Sequence, residues 1–376
     1  MENSSLKVVQ VLPELNSGGV ERGTIEFAKV LVEKGHESIV ISNGGRQVER
    51  LESEGSRHIS LPVHKKSPAS LLQVKKMRAL LQELKPDIIH VRSRVPAWIV
   101  WLAWRKLPKT TRPKLISTFH GMYSINAYSA IMAKAEQIIA ISDCVYDYIV
   151  ENYDVNKDRI TRIFRGLDRS AFSDLSGSGA WLQQLNLDYP ETKAKKLILM
   201  PGRLTRWKGQ EAFIEMMALL IKKDSSFHGL IVGEADSNKV HYEDELRNLC
   251  VNRGVDQHIS FLGHRSDIPY LYKAAEITCH MSNKAEPFGR TVPEALATGC
   301  MVVAFNRGGA SESLNAAFPE GLVDADDIKA FADRIYELAH QVKKPNITLP
   351  DEFYLETQAE ETIKVYRKAI AGENRL

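Results

Sequence analysis

Two glutamates in the stretch KAEPFGRTVPEALATG, Glu286 and Glu294, are separated by seven residues that include Pro287, Gly289 and Pro293. Carboxylates at this spacing, around the start of one short helix, suit two different tasks. Thr291 as N-cap with Glu294 three positions on reads as a capping box, with proline tolerated in the first turn and Gly299 closing the helix. That reading leaves Glu286, in the preceding loop, unexplained. A glycine-containing loop running into a helix N-terminus also offers free N–H groups to an anion, with carboxylates placed to hold hydroxyls. Cap and ligand site both fit the local sequence.

Three other stretches carry side chains of the same kind of chemistry. In MPGRLTRWKGQ (200–210), Arg203 and Lys208 stand five positions apart with Gly202 and Gly209 beside them. A guanidinium fork and an ammonium point charge suit a diphosphate, although two loop cations are also what solvent alone would accept. In NSGGVERG (16–23), Gly18, Gly19 and Gly23 follow an apolar run and open a helical one. The spacing is GG-x-x-x-G and no acidic residue closes the next strand, which argues against a dinucleotide fingerprint. His120 ends STFHG, as a structural or a reacting histidine. GLVDADD holds Asp324 and Asp326 in a D-x-D pattern. It lies between a short strand and a helix, so Asp326 reads as a helix cap and not as a metal ligand.

These residues need elements to hold them. KVVQVLPEL, ESIVIS, DIIHVR, KLISTFHG and QIIAIS are short apolar runs separated by helical patterns; after a polar stretch containing SGSG the alternation resumes with LILMPGRL, HGLIVGEA, ISFLGH, ITCHMS and MVVAFNRGG. Strands alternating with helices imply parallel sheets covered on both faces. The predicted fold class is α/β, with two Rossmann-like doubly wound domains facing a central cleft. Residues 1–168 form the N-terminal domain and 169–350 the C-terminal domain, with a helix at about 351–376 returning to the first. The candidate residues then fall at strand ends, where open α/β sheets bind ligands.

With 376 residues the chain is long enough for two cores, and its charge is uneven. Residues 1–168 carry 25 Lys and Arg against 18 Asp and Glu, while the remainder carries 25 against 29. Within 57–114, 14 basic residues face only Glu83 and Asp87, which points to an anionic partner for one half. Cys144, Cys250, Cys279 and Cys300 lack metal-ligand or disulfide spacing and read as reduced thiols, so no metal is expected. The N-terminus reads as no signal peptide, and the longest apolar run, VPAWIVWLAW, is too short to span a membrane. A cytoplasmic protein is expected.

In this order the motifs LILMPGRLTRWKG, ISFLGHRSDIPYLYKAAEITCHMS, EPFGRTVPEALATG, MVVAFNRGGASE and EGLVDADD resemble the retaining glycosyltransferases of the GT-B fold, family four (group 1). The resemblance covers nearly the whole chain. It implies transfer of a sugar from a nucleotide-sugar donor, a UDP- or GDP-sugar, to a saccharide acceptor, lipid-linked or of lipopolysaccharide core, with no metal or cofactor. Glu294 would hold the ribose and Glu286 the donor sugar. Phe288, Gly289, Arg290 and Thr291 would approach sugar and phosphate through their amides, and Arg203 and Lys208 would neutralise the diphosphate. Gly18 and Gly19 would admit diphosphate and acceptor to the first domain, His120 would lie near the donor sugar, and His264 would line the base. FRGLD departs from the family's common Asn-Gly by placing Arg165 before Gly166.

Other readings are a nucleotide-sugar epimerase or phosphorylase of the same fold and, outside enzymes, a nucleic-acid-binding protein built on 57–114. That stretch lacks a recognised nucleic-acid motif, so no nucleic-acid partner is expected. VRSRVPAWIVWLAWRKLPK (91–109), with Trp98, Trp101 and Trp104, reads either as a core helix or, with Lys65, Lys66, Lys75, Lys76 and Arg78, as part of a face toward an anionic membrane surface.

Overall fold

The computed structural model describes residues 4–16, 18–67, 70, 72–235 and 241–372. Ser17, within the first glycine-rich stretch, lies outside them. The chain divides into two compact units, Met1–Gly166 with Tyr354–Leu376, and Leu167–Phe353.

The first unit is built on seven parallel strands: β1 Lys7–Val11, β2 Glu37–Ser42, β3 Arg57–Ser60, β4 Ile88–Val91, β5 Lys114–Phe119, β6 Gln137–Ala140 and β7 Ile160–Arg162. Their order is β3-β2-β1-β4-β5-β6-β7. The apolar runs are buried along almost their whole length, as strands covered on both faces must be. β3 and β7 escape a reading by hydrophobicity because RHIS and ITR are short, polar and partly exposed.

The terminal helix Leu355–Ala371 belongs to this unit. Ala359, Ile363 and Tyr366 join Val8, Phe27, Ile88 and Ile116 in one core cluster. The buried Tyr366 hydroxyl lies 2.6 Å from His90 Nδ1, whose Nε2 is 2.6 Å from Thr118 Oγ1. The Gly166 N–H donates to Gln358 Oε1 at 2.6 Å.

The second unit has six parallel strands: β8 Lys196–Pro201, β9 Phe227–Val232, β10 Ile259–Phe261, β11 Ile277–His280, β12 Met301–Phe305 and β13 Leu322–Val323, in the order β10-β9-β8-β11-β12-β13. The SGSG stretch leads into a helix, Ser178–Asp188, whose Trp181 stacks on Tyr270 and donates its indole N–H to Asp267 Oδ2 at 2.6 Å.

Both sheets therefore grow outward from a central pair in opposite directions, β1 with β4 and β8 with β11. At such a switch point the loops leaving the two strands part, and the crevice between them is where doubly wound sheets take ligands. The loop after β8 holds Arg203 and Lys208; the loop after β11 holds Glu286 and Gly289. In the first unit the corresponding loops begin at Leu12 and Arg92.

Candidate active site

In the second unit the two loops at the switch point are tied together by charge. Lys208 Nζ lies 2.7 Å from Glu286 Oε1. The same oxygen is 2.9 Å from His280 Nε2 and accepts a bond from the Ser282 hydroxyl. Glu286 is 7% exposed. Burial raises its pKa, but the hydrogen bond and charge of His280, and then those of Lys208, outweigh burial and hold the carboxyl well below the usual range. It is an ionised carboxylate in a low-dielectric place, with the Lys208 ammonium and two further donors, His280 and Ser282, around it. Lys208 is thus no free loop cation: its side chain is 18% exposed and committed to Glu286. Arg203 is exposed on the same loop, whose backbone is pinned by Gln210 Nε2 donating to the Arg203 carbonyl at 3.0 Å.

Glu294 is equally buried but in other company. Its Oε1 is 2.7 Å from Arg290 Nε and its Oε2 accepts from the Tyr272 hydroxyl at 3.1 Å. Burial, then the Glu294 charge, push the Tyr272 hydroxyl well above its ordinary pKa, so it stays a donor. The capping box is not formed. The helix is Thr291–Ala297 with Arg290 as N-cap in helical geometry and no side-chain cap, so Thr291 is already inside and Glu294 is one position too far along to reach back. The turn before it needs glycine. Gly289 has φ +70°, and a Cβ there would sit 2.4 Å from Ala310 Cβ. Phe288 is buried, Thr291 and Arg290 half-buried, and the loop is fixed by Gly309 N–H donating to the Glu286 carbonyl at 2.8 Å.

His264 stands exposed at the end of β10, its N–H donating to Glu234 Oε1 at 3.3 Å, on the same edge of the sheet two strands from β8. Asp326 is not the cap of the helix Ile328–Ala339. Asp327 is, accepting from the Ala330 N–H at 2.8 Å, while Asp326 (φ +68°) pairs with Arg307. Among the described residues no cluster of three or more His, Cys, Asp or Glu is placed to hold a metal.

Gly18, Gly19 and His120 belong to the first unit. Gly18 has the Glu21 carboxylate folded over it, and the helix Gly19–Glu33 starts immediately after. His120 follows β5. Both its ring nitrogens are buried and have no hydrogen-bond partner among the described residues. Burial, then the charges of Arg165, Arg92 and His90, press its pKa well below 6.5, so it is neutral. Arg92, immediately after β4, is 3% exposed and donates from Nε to Gln10 Oε1 at 2.8 Å. Burial lowers it to about 10, leaving it charged.

The tryptophan-rich segment is the helix Arg94–Trp104, burying Pro96, Ala97, Ile99, Val100 and Ala103. Its tryptophans are engaged within the protein. The Trp98 and Trp104 indoles donate to the carbonyls of Tyr128 and Pro113, and Arg105 and Arg112 lie over the rings of Trp101 and Trp104. No helix of the described residues is long and apolar enough to cross a membrane.

Reading the sequence alone missed His280, Ser282 and Tyr272, the groups that hold the two carboxylates. The ending of ITCHMS was a usable signal, since a polar side chain closing a buried parallel strand faces the ligand edge. Tyr272 gave none; it reaches Glu294 from a helix, Ile268–Ala274, with no motif of its own.

The chain is similar to known proteins. Residues 187–348 match the glycosyl transferases group 1, and residues 17–171 match glycosyltransferase family 4. A glycosyltransferase from Rickettsia africae ESF-5, of known crystal structure, is 31% identical with a TM-score of 0.87, over 98% of this chain and 99% of that one. HepE of Anabaena, solved in complex with UDP and glucose, shares the fold at 21% identity and a TM-score of 0.80, over 96% of this chain and 100% of its own. The lipopolysaccharide core biosynthesis mannosyltransferase LpsB of Rhizobium meliloti is 30% identical over 175 residues, 46% of this chain and 48% of LpsB. With two parallel Rossmann-like sheets, the Glu286 and Glu294 loop at a switch point, and a full-length relative of this identity, the chain belongs to the group 1 glycosyltransferases and has the GT-B fold.

Proposed function

We propose that the protein transfers a sugar, with retention of configuration, from a nucleotide-sugar donor held by the second unit to a saccharide acceptor held by the first. The observation that carries this reading is the buried, ionised Glu286 clamped by Lys208 and His280 at the β8/β11 switch point. A departing nucleoside diphosphate gains negative charge in the transition state. Cations fixed in advance stabilise that state more than the ground state. Lys208 is held at the spot by Glu286, and Arg203 extends from the same loop. Glu294, fixed by Arg290 and Tyr272, is the group for the ribose hydroxyls. The amides of Phe288 to Thr291 are those for sugar and phosphate, and His264 lies toward the base. No metal or cofactor is needed for this division of labour.

The LpsB relationship and the uneven charge support this acceptor class. Lys65, Lys66, Lys75 and Lys76 are exposed on the first unit, and Leu72 beside them is 73% exposed. A cytoplasmic enzyme resting on the anionic inner leaflet through these lysines would meet a lipid-linked or lipopolysaccharide-core acceptor there, each lysine contributing about 1 kcal/mol. UDP-sugars come first in a donor panel because HepE, of the same fold, has been solved with UDP-glucose.

Thermal shift across UDP- and GDP-sugars identifies the donor, since a ligand at a hundred times its Kd adds about 2.7 kcal/mol. NMR of the product's anomeric proton then reads retention. A product of inverted configuration, or turnover of donor to an isomer without acceptor, overturns the reading. Co-sedimentation with phosphatidylglycerol vesicles at low salt should succeed and be lost when the four lysines become Ser; equal recovery with neutral vesicles refutes the membrane part.

A further inference from the structure

The GG-x-x-x-G turn already has an occupant. Gly19 and Gly23 lie four residues apart on the helix Gly19–Glu33, hence on one face. A Cβ at Gly19 would stand 2.9 Å from Arg165 Nη1, and one at Gly23 would stand 3.3 Å from Arg165 Nη2. The Arg165 guanidinium covers this side-chain-free face and donates to the Gly19 carbonyl. The two glycines make room for an arginine that arrives from the chain after β7.

Around it are groups that lack what they need. His120 has two buried ring nitrogens and, among the described residues, no partner for either. Arg92 is a buried guanidinium with an amide oxygen, Gln10 Oε1, as its hydrogen-bond partner and, among the described residues, no carboxylate within ion-pair distance. Gln10, the partner of Arg92, also donates from Nε2 to the carbonyl of Thr24, next to Gly23, at 3.4 Å, and His120 follows β5, the strand beside β4, so these groups leave one edge of the sheet; the charges of Arg165 and Arg92 lower the His120 pKa accordingly. A buried cation without a counter-charge is costly, and an anion brought to it removes that cost. Guanidinium forks match phosphate and carboxylate oxygens two at a time. A neutral imidazole offers one N–H donor and one acceptor nitrogen, the pair that a neighbouring hydroxyl requires.

We propose that Arg165, Arg92 and His120, beside the Gly19–Gly23 face, form an anion site that takes a phosphate or carboxylate group on the acceptor. This rests on the transferase reading above and names the acceptor's chemistry. Arg165 is the specificity residue: with Asn in its place the face is open and uncharged, and a neutral acceptor would serve as well. The diphosphate of the donor has the same chemistry, so the test must separate the two sources.

The probe is inorganic phosphate, titrated into the full chain carrying [13Cε1]histidine, first alone and then with saturating UDP or GDP. The His120 signal is assigned by its loss in His120→Phe. Phosphate should move that signal saturably, with or without nucleotide, in the wild type and in Lys208→Ala. Arg165→Asn should weaken phosphate at least tenfold and Arg165→Lys about threefold, with circular dichroism and melting temperature unchanged. A His120 signal indifferent to phosphate, or equal affinity in Arg165→Asn, overturns the site. UDP or GDP alone moving His120 and abolishing the phosphate effect assigns the site to the donor and overturns the acceptor claim. Absence of sugar transfer would defeat the enzymatic reading while leaving the phosphate titration standing.

Discussion

In the second unit one Glu286 oxygen takes bonds from Lys208, His280 and Ser282, whereas in the first His120 has two buried ring nitrogens and, among the described residues, a partner for neither. The comparison extends to the cations. Arg290 and Lys208 each sit on a carboxylate; Arg92 sits on an amide. Ligand binding therefore means different things at the two strand ends. On the function proposed above, a diphosphate at the second unit would share Lys208 with a carboxylate that already holds it, whereas a ligand at the first would supply partners to buried polar groups and draw part of its affinity from that.

Substitutions can break this contrast. The largest effect is expected for Glu286→Gln, which removes the charge that positions Lys208 and His280. Turnover at saturating donor should fall by about two to three orders of magnitude, as for loss of one transition-state-stabilising group; near-normal turnover would detach the pair from the chemistry. Next is Glu294→Ala. It removes the carboxylate from Arg290 and leaves the buried Tyr272 hydroxyl without its acceptor, and urea denaturation should register a loss of about 3 kcal/mol. Glu294→Gln retains an acceptor oxygen and should lose less stability while weakening nucleotide binding by calorimetry.

His120→Phe should behave in the opposite sense. No hydrogen bond of the ring is lost, so stability should change by less than about 1 kcal/mol or improve, while turnover falls. A large destabilisation would mean that the ring is partnered after all. The smallest effect is on pH dependence. The folded-state pKa of His120 is depressed, so the unfolded chain binds the extra proton, and stability is lost as pH falls below about 6.5. One such histidine contributes up to about 1.4 kcal/mol per pH unit. Between pH 6 and pH 5 the wild type should lose more stability than His120→Phe, read by urea denaturation at the two pH values. Glu286 adds nothing there: its folded pKa is depressed, so its contribution is intact above the unfolded value near 4.5 and is lost only on further acidification.

The alternation of apolar runs made the two parallel sheets legible, because a strand buried on both faces has little freedom of composition. It failed at β3 and β7, which are short and half-wet. Spacing made Glu286, Glu294 and Lys208 visible as candidates, but not that Lys208 and Glu286 pair across 78 positions, nor that Glu294 answers to Tyr272. Such contacts depend on which strand ends the sheet order makes neighbours. Local chemistry misled at Thr291 and at Asp326. A residue with the right side chain stood one position from the true helix start in each case, and backbone geometry, not side-chain type, fixes where a helix begins. The glycines near the N-terminus announced a close approach, though not that Arg165 makes it.

The terminal helix has a consequence for how the chain is made. Its Tyr366 closes the cluster containing Val8, Phe27 and Ile88 and caps the His90–Thr118 bond line. On the ribosome the first sheet is finished by Gly166, but its covering helix follows only after the whole of Leu167–Phe353. At about 5–20 residues per second the interval to Tyr366 is roughly 10–40 s. Through that time the sheet face around Ile88 and Ile116 has Phe27 and Leu31 of the helix Gly19–Glu33 but lacks the cover of Ala359, Ile363 and Tyr366, and the later-synthesised unit can fold first. A nascent chain stalled before residue 355 would therefore carry a finished second unit and an unfinished first, and be a substrate for holdase chaperones at its older end.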